Sequence, residues 1–337
     1  MFISRAPNAT AHVAGKTFRR SISRVRIIEE PFDRVAVGRF REATNGLTKP
    51  VALHRPKDDA SLPWLPAQHK WFNHGPAMHK GGAVTDYLAR LSPWVFTYEL
   101  MAPQPTEGGG DAVALFLAWL SQQQENPMMK HLHDELGAMR HSLPKPLTPP
   151  SFHQFEAPLS LLLAADSFNA TAPHPLRSLY IAQYPIDCLP ADYAADLPTP
   201  RLVKEAGRGD VYNSSVWMGL EPTYTPLHRD PNPNLFVQLR RSKVIRMLAP
   251  AAGDALYRDV RAALGMPGNS RIRGAEMMYG PERDLLHERV WADGGAHVLE
   301  VEVGPGDAVY VPLGWWHSVR SVGGEAGLNA SANWWFR

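Results

Sequence analysis

The sequence predicts an α+β protein in which a mixed, partly helical N-terminal half packs on a C-terminal β-barrel. Three observations carry this. From about residue 178 onward the chain reads as short apolar or alternating runs between turns: SLYIAQYPI, DVYNSSVWMGL, NLFVQL, KVIRML, HVLEVEV, AVYVP and ANWWFR. Many short strands at close spacing are the pattern of a sandwich or barrel. Earlier in the chain, DAVALFLAWLSQQQ (111–124) and PMMKHLHDELGAMRH (127–141) carry apolar residues at helical spacing. Finally, 31 prolines and 26 glycines argue against a bundle of long helices.

The elements follow in order. Residues 22–53 predict two short strands around a helical segment, ending in the strand of KPVAL. WVFTYELM (94–101) reads as a strand, and TEGGG (106–110) as a turn too short to cradle phosphate on its own. Asp111 stands where a helix N-cap belongs. LPKPLTPPS (143–151) is an internal linker, because its prolines cannot enter regular structure. APLSLLLAADSF (157–168) predicts a short apolar helix. The chain therefore divides into a basic extension (1–21), a mixed α/β part (22–150) and the barrel (151–337).

At 337 residues, 44% hydrophobic and 20% charged, the chain can bury a substantial core as one large domain or two modest ones. A lone Cys188 excludes an intrachain disulfide framework and a Cys-rich zinc module, and fits a reducing compartment. No apolar run reaches the roughly 20 residues of a membrane helix, so no membrane partner is expected. Residues 1–28 hold six basic residues and no acid, and removing those six from the net charge of +2 leaves the remainder at −4. That balance argues against nucleic acid as a partner of the main domain. The acid-free, Arg- and Ser-containing start is similar to a mitochondrial transit peptide, but Pro7 interrupts the helix such a peptide needs, and a basic tail is the other reading. The expected location is intracellular: cytoplasmic or nuclear, with the mitochondrial matrix as the alternative.

Chemistry is concentrated in TPLHRDPNPNLFVQLRRSK (225–243). His228 and Asp230, two apart, point to the same side if they lie on a strand. GPGDAVYVPLGWWHSV (304–319) offers a third group, His317, after a second tight bend. Two histidines and a carboxylate are the facial set that holds non-haem Fe(II), leaving three coordination positions for a bidentate substrate and dioxygen. Taken alone, a His-x-Asp pair is weak evidence among 14 histidines and 33 acids. A kinase catalytic loop fails because proline follows Asp230, Asn234 comes four residues on, and no DFG is present. His131 and His133 lie two apart on a predicted helix and do not share a face. His69, His74 and His79 have no ligand spacing.

Thr225-Pro-Leu-His228-Arg-Asp230, Asn234-Leu-Phe236, Lys243, Gly306-Asp307, Pro312, Trp315-Trp316-His317 and Asn333-Trp-Trp335, in that order, resemble the JmjC family of Fe(II)- and 2-oxoglutarate-dependent oxygenases. The resemblance spans roughly residues 178–337 and is nearest to the small hydroxylase branch, which includes the asparaginyl hydroxylase acting on hypoxia-inducible factor. It implies a double-stranded β-helix (jelly-roll, or cupin barrel). It also implies that His228, Asp230 and His317 bind Fe(II), and that Lys243 and Thr225 take the distal carboxylate of 2-oxoglutarate. Tyr180 matches the family tyrosine that reaches the same carboxylate, with Gln183 close by. Asn234 and Asn333 are expected to line the cofactor end of the pocket, and Phe236 and Trp335 to form its wall. A dicarboxylate inside a barrel needs a cation and a hydroxyl at its far end, because an unpaired buried charge is costly.

The resemblance further implies O2 as cosubstrate and hydroxylation of a protein side chain. The same chemistry on a small-molecule metabolite, and a non-catalytic cupin-like binding module, are the alternatives. Residues that choose the substrate are expected in the first half and in the insert at 268–296. The chain stops just after its final strand, without the C-terminal helices some relatives use to dimerise. A monomer is therefore expected, with a dimer through another surface as the alternative.

Overall fold

The computed structural model describes residues 22–73, 82–102, 111–123, 125–142, 151–265, 277–292, 297–324 and 326–337. The basic extension, His74 and His79, the TEGGG turn, most of the proline linker and the first part of the 268–296 insert lie outside the described residues.

The first elements are β1 (Ser23–Arg24), β2 (Arg26–Ile28), α1 (Val37–Ala43), β3 (Val51–Leu53), α2 (Pro66–Lys70), α3 (Asp86–Ala89) and β4 (Val95–Ala102). Then come α4 (Ala112–Ser121), α5 (Pro127–Ser142), β5 (Ser151–Pro158), α6 (Ser160–Asn169) and β6 (Leu179–Pro185). Two short helices, α7 (Ala191–Ala195) and α8 (Arg201–Glu205), lead into β7 (Val211–Leu220), β8 (Tyr224–Arg229), β9 (Asn234–Arg240) and β10 (Lys243–Leu248). The helices α9 (Pro250–Ala263) and α10 (Pro281–Trp291) precede β11 (Leu299–Val303), β12 (Ala308–Val311), β13 (Trp316–Ser321) and β14 (Leu328–Phe336).

The strands form a five-stranded sheet, β1-β11-β10-β13-β8, and a nine-stranded sheet, β2-β3-β12-β9-β14-β7-β6-β4-β5. This is the α+β jelly-roll that the resemblance implies. The N-terminal strands are built into it: β3 extends the large sheet beyond β12, and β4 and β5 extend it beyond β6.

Alternation along the strands explains where the core sits. On β9, Leu235, Val237 and Leu239 join the main apolar cluster with the helices, while Asn234, Phe236, Gln238 and Arg240 take the other face. On β14, Leu328, Ala330, Ala332, Trp334 and Phe336 face that cluster, and Asn329, Ser331, Asn333 and Trp335 alternate with them. Every residue of both strands is buried, so the large sheet is covered on both sides at β9 and β14. Between the sheets, Phe236, Val309 and Val311 meet Ile245 and Met247 of β10. The outer face of the small sheet is covered by α9 and α10, with Leu227, Leu248, Trp316, Tyr257 and Val290 in one cluster.

α4 starts as its sequence predicts, Asp111 accepting from the amide of Ala114 at 3.0 Å. Residues 151–158 differ from expectation: they pair with β4 over eight positions, and the helix begins only at Ser160, after Pro158. Long-range pairing decides that stretch, which its local composition did not announce. α9 and α10 were likewise not predicted. α10, PERDLLHERVW, carries charge on most of its faces and shows little apolar stripe.

Candidate metal and cosubstrate site

His228 on β8 and His317 on β13 are a direct cross-strand pair, and their rings sit 4.2 Å apart, centroid to centroid. A register shift between His317 and Val319 places a bulge on β8. As a result Thr225 and His228, three residues apart, both line the interior cavity, while Leu227 between them joins the outer cluster. Asp230 follows β8 by one residue and brings one carboxylate oxygen toward the Nε2 of each ring.

Each imidazole is oriented by its own backbone. His228 Nδ1 lies 2.9 Å from the carbonyl of Pro226, and His317 Nδ1 lies 3.2 Å from that of Trp315. A carbonyl can only accept, so Nδ1 carries the proton and Nε2 presents a lone pair. The two Nε2 atoms stand 3.6 Å and 3.5 Å from the Asp230 oxygens, beyond ordinary hydrogen-bond length. One ligand atom from each residue lies within 4.8 Å of the others, and among the described residues this is the group of His, Cys, Asp and Glu side chains that could hold a metal ion. Two imidazoles and a carboxylate converge without bonding one another, a donor set that suits a divalent transition metal.

Asp230 Oδ2 accepts from Trp335 Nε1 at 2.7 Å and from Asn234 Nδ2 at 3.1 Å. Burial pushes this carboxyl up, but His317 and His228 and the two hydrogen bonds outweigh it and hold Asp230 below the usual carboxylate range. The support continues outward. Asn333 Nδ2 donates to Asn234 Oδ1 at 3.2 Å, and Trp217 Nε1 donates to Asn333 Oδ1 at 2.6 Å.

At the other end of the same cavity lies Lys243, only 2% exposed. Its Nζ donates to Ser331 Oγ at 2.9 Å and to Tyr180 Oη at 3.3 Å, and sits over the rings of Phe236 and Tyr180. Burial pushes the ammonium down to about 7, with Glu221 opposing the shift. Thr225, also buried, lines this end.

All ten residues singled out from sequence, His228, Asp230, His317, Thr225, Lys243, Tyr180, Asn234, Asn333, Phe236 and Trp335, line one cavity of about 250 Å³. Gln183, in a left-handed backbone conformation (φ 56°) at a register shift of β6, lines it too. Sequence reasoning missed Ser331 and Trp217. Ser331 could have been found by counting two back from Asn333 along a strand; Trp217 had no signal that separates it from a core aromatic. His131, His133 and His69 lie on α5 and α2, away from this cavity. Trp315 packs in the inter-sheet core and Trp316 under α9.

Among the described residues no helix is long and apolar enough to cross a membrane. The family model described as a cupin-like domain matches residues 111–337. Jumonji C domain-containing protein 5 of Drosophila melanogaster is 35% identical over 120 residues, covering 36% of this chain and 27% of that protein. Lysine-specific demethylase JMJ30 of Arabidopsis thaliana is 25% identical over 162 residues, covering 48% of this chain and 34% of that protein. Lysine-specific demethylase 8 of Danio rerio is 28% identical over 131 residues, covering 38% and 29%. The matches thus span about a quarter to a third of these relatives' lengths. With a family match over most of its length and JmjC proteins as its relatives, the chain belongs to the cupin-like, JmjC-type domain family.

Proposed function

We propose that the chain is an Fe(II)- and 2-oxoglutarate-dependent dioxygenase that hydroxylates a protein side chain. The observation that carries this reading is the polarity of one cavity, with three convergent ligand atoms at one end and a buried lysine at the other. In this reading His228, Asp230 and His317 hold the metal, and Lys243, with Thr225 and Tyr180, takes the distal carboxylate of the cosubstrate. Bound iron supplies activation of dioxygen coupled to decarboxylation of 2-oxoglutarate to succinate and CO2, with one oxygen atom inserted into a substrate C–H bond.

The chain's own residues account for the rest. The Pro226 and Trp315 carbonyls keep both Nε2 lone pairs turned inward. Trp335 and Asn234 keep Asp230 ionised and fix its rotation. Phe236, Ile245 and Val319 form an apolar wall that keeps water from the interior. Lys243 offers a cation where a carboxylate would otherwise be unpaired. At the mouth, Gln183, Tyr212 and Asn213 present amide and phenol groups suited to a peptide segment, and the demethylase names of the relatives support a protein substrate. Hydroxylation of an N-methyl carbon would give demethylation by the same step, so one site serves either outcome.

The test is an anaerobic titration with Fe(II) and 2-oxoglutarate, following the visible charge-transfer band of the chelated keto acid. A band in the wild type that is absent from Asp230→Ala supports the reading. A folded wild type without a band overturns it and leaves a binding module.

A further inference from the structure

A second cavity, of about 560 Å³, lies on the far side of Tyr180 from the metal site. Tyr180 is the residue both cavities share. Its floor is the outer face of the small sheet, where Val244, Arg320 and Tyr224 are neighbours across β10, β13 and β8. One wall is the start of α10 with Arg283 and His287; the opposite wall is β4 with Glu99 and Met101. At this size it falls within the range of roughly 300–1,000 Å³ typical of small-molecule pockets.

Its polar lining is arranged for negative charge. Arg283 stacks its guanidinium on Tyr224 at 4.8 Å and Arg320 on Trp291 at 4.2 Å. His287 is held between those same rings, 5.1 Å from Tyr224 and 6.5 Å from Trp291. The aromatic rings keep two cations and an imidazole on one side of the cavity without neutralising them. Asp284 does pair with Arg283, but from the exposed side, and Glu99 is the acidic residue on the opposite wall among the described residues. Three polar atoms on the lining residues are shut off from solvent and have no hydrogen-bond partner: Thr223 Oγ1, Arg283 Nε and His287 Nδ1. Thr223 is only 3% exposed. Buried polar atoms are almost always partnered, and these three unpartnered atoms belong to residues on the cationic side of one cavity.

We propose that this cavity binds a small organic anion, a carboxylate or a phosphate, with Arg283 and Arg320 as counter-ions and Thr223 and His287 as hydrogen-bonding partners. Guanidinium forks match either anion. Met101, Met278, Val244 and Val322 would take the carbon skeleton. Met278, Arg283 and His287 bring part of this lining from the described segment 277–292.

The site is tested by calorimetric titration of the full, metal-free chain with citrate and, separately, with inorganic phosphate, in the absence of 2-oxoglutarate. The expected result is binding of at least one probe, weakened tenfold or more in both Arg283→Met and Arg320→Met and kept in Lys243→Met. The probe that binds more tightly identifies the head group. Binding that survives both arginine changes but is lost in Lys243→Met would put the anion in the cosubstrate pocket and overturn the proposal. Absence of binding at millimolar probe would also overturn it. If either methionine variant fails to fold by circular dichroism, Arg283→Gln and Arg320→Gln replace them, with the same expectation.

Discussion

Asn333 donates its amide to Asn234 at 3.2 Å, and through that contact the wall of the pocket is tied to the carboxylate of Asp230. The donors run one way, Trp217 to Asn333 to Asn234 to Asp230, so each amide orientation is set by the one before it. The chain ends on a charge that accepts.

Breaking this line should loosen the metal without removing a ligand. Asn234→Ala is expected to weaken Fe(II) or Mn(II) binding about 10–100-fold, the usual effect of losing a partner behind a metal ligand. Asn333→Ala should add a stability loss of about 1–3 kcal/mol, because the buried hydrogen bond from Trp217 Nε1 is lost. Metal titration by calorimetry and chemical denaturation separate the two effects.

Trp335→Phe leaves a smaller aromatic ring in place and deletes the 2.7 Å hydrogen bond to Asp230. That bond favours the ionised carboxylate, so its loss raises the pKa of Asp230 and lets protons compete with metal at higher pH. The acid limb of metal binding should therefore move to higher pH in the variant. Metal affinity measured from pH 5 to 8 checks the direction.

Lys243 gives a second, opposite pH signature. Its folded value of about 7 lies below the ordinary 10.5. Between these values the unfolded chain holds a proton that the folded chain has released, so this group's destabilising effect is full below pH 7 and fades as pH rises toward 10.5. The deficit in melting temperature of wild type relative to Lys243→Met should shrink across that window. A bound dicarboxylate favours the charged lysine, so 2-oxoglutarate affinity should fall up to about tenfold per pH unit above 7. Lys243→Met should remove that dependence along with most of the affinity.

Gly219 is where β7 comes closest to Tyr180. A Cβ there would stand 2.3 Å from the tyrosine ring and 2.6 Å from the carbonyl of Leu179. Gly219→Ala is expected to cost about 1–3 kcal/mol by overpacking and to push Tyr180 off Lys243. Denaturation midpoint and 2-oxoglutarate affinity should both worsen, whereas metal binding should hold.

Much of this was legible beforehand, and the exceptions have physical causes. The strands of the second half announced themselves because alternation and turn residues are local. Ordered motifs pointed to ten residues that share one cavity. The bulge on β8 was invisible, since strict alternation would set Thr225 and His228 on opposite faces. Ser331 looks like any small polar residue until β14 is laid beside β10 and Lys243 reaches it. β5 escaped because its eight pairings to β4 are made across 49 to 63 residues of chain. The second cavity was equally hidden: Thr223, Arg283 and Arg320 meet only after α10 lies on the small sheet.

The way β3 and β4 are laced into the large sheet bears on how the protein can be cut. A fragment limited to the family match, 111–337, would lack β2, β3 and β4. β12 and β6 would then each present a bare edge, β5 would have no partner, and β11 would lose β1. Unpaired edges recruit other chains. Such a fragment should therefore aggregate where the longer chain does not, even though it retains every residue of the metal site.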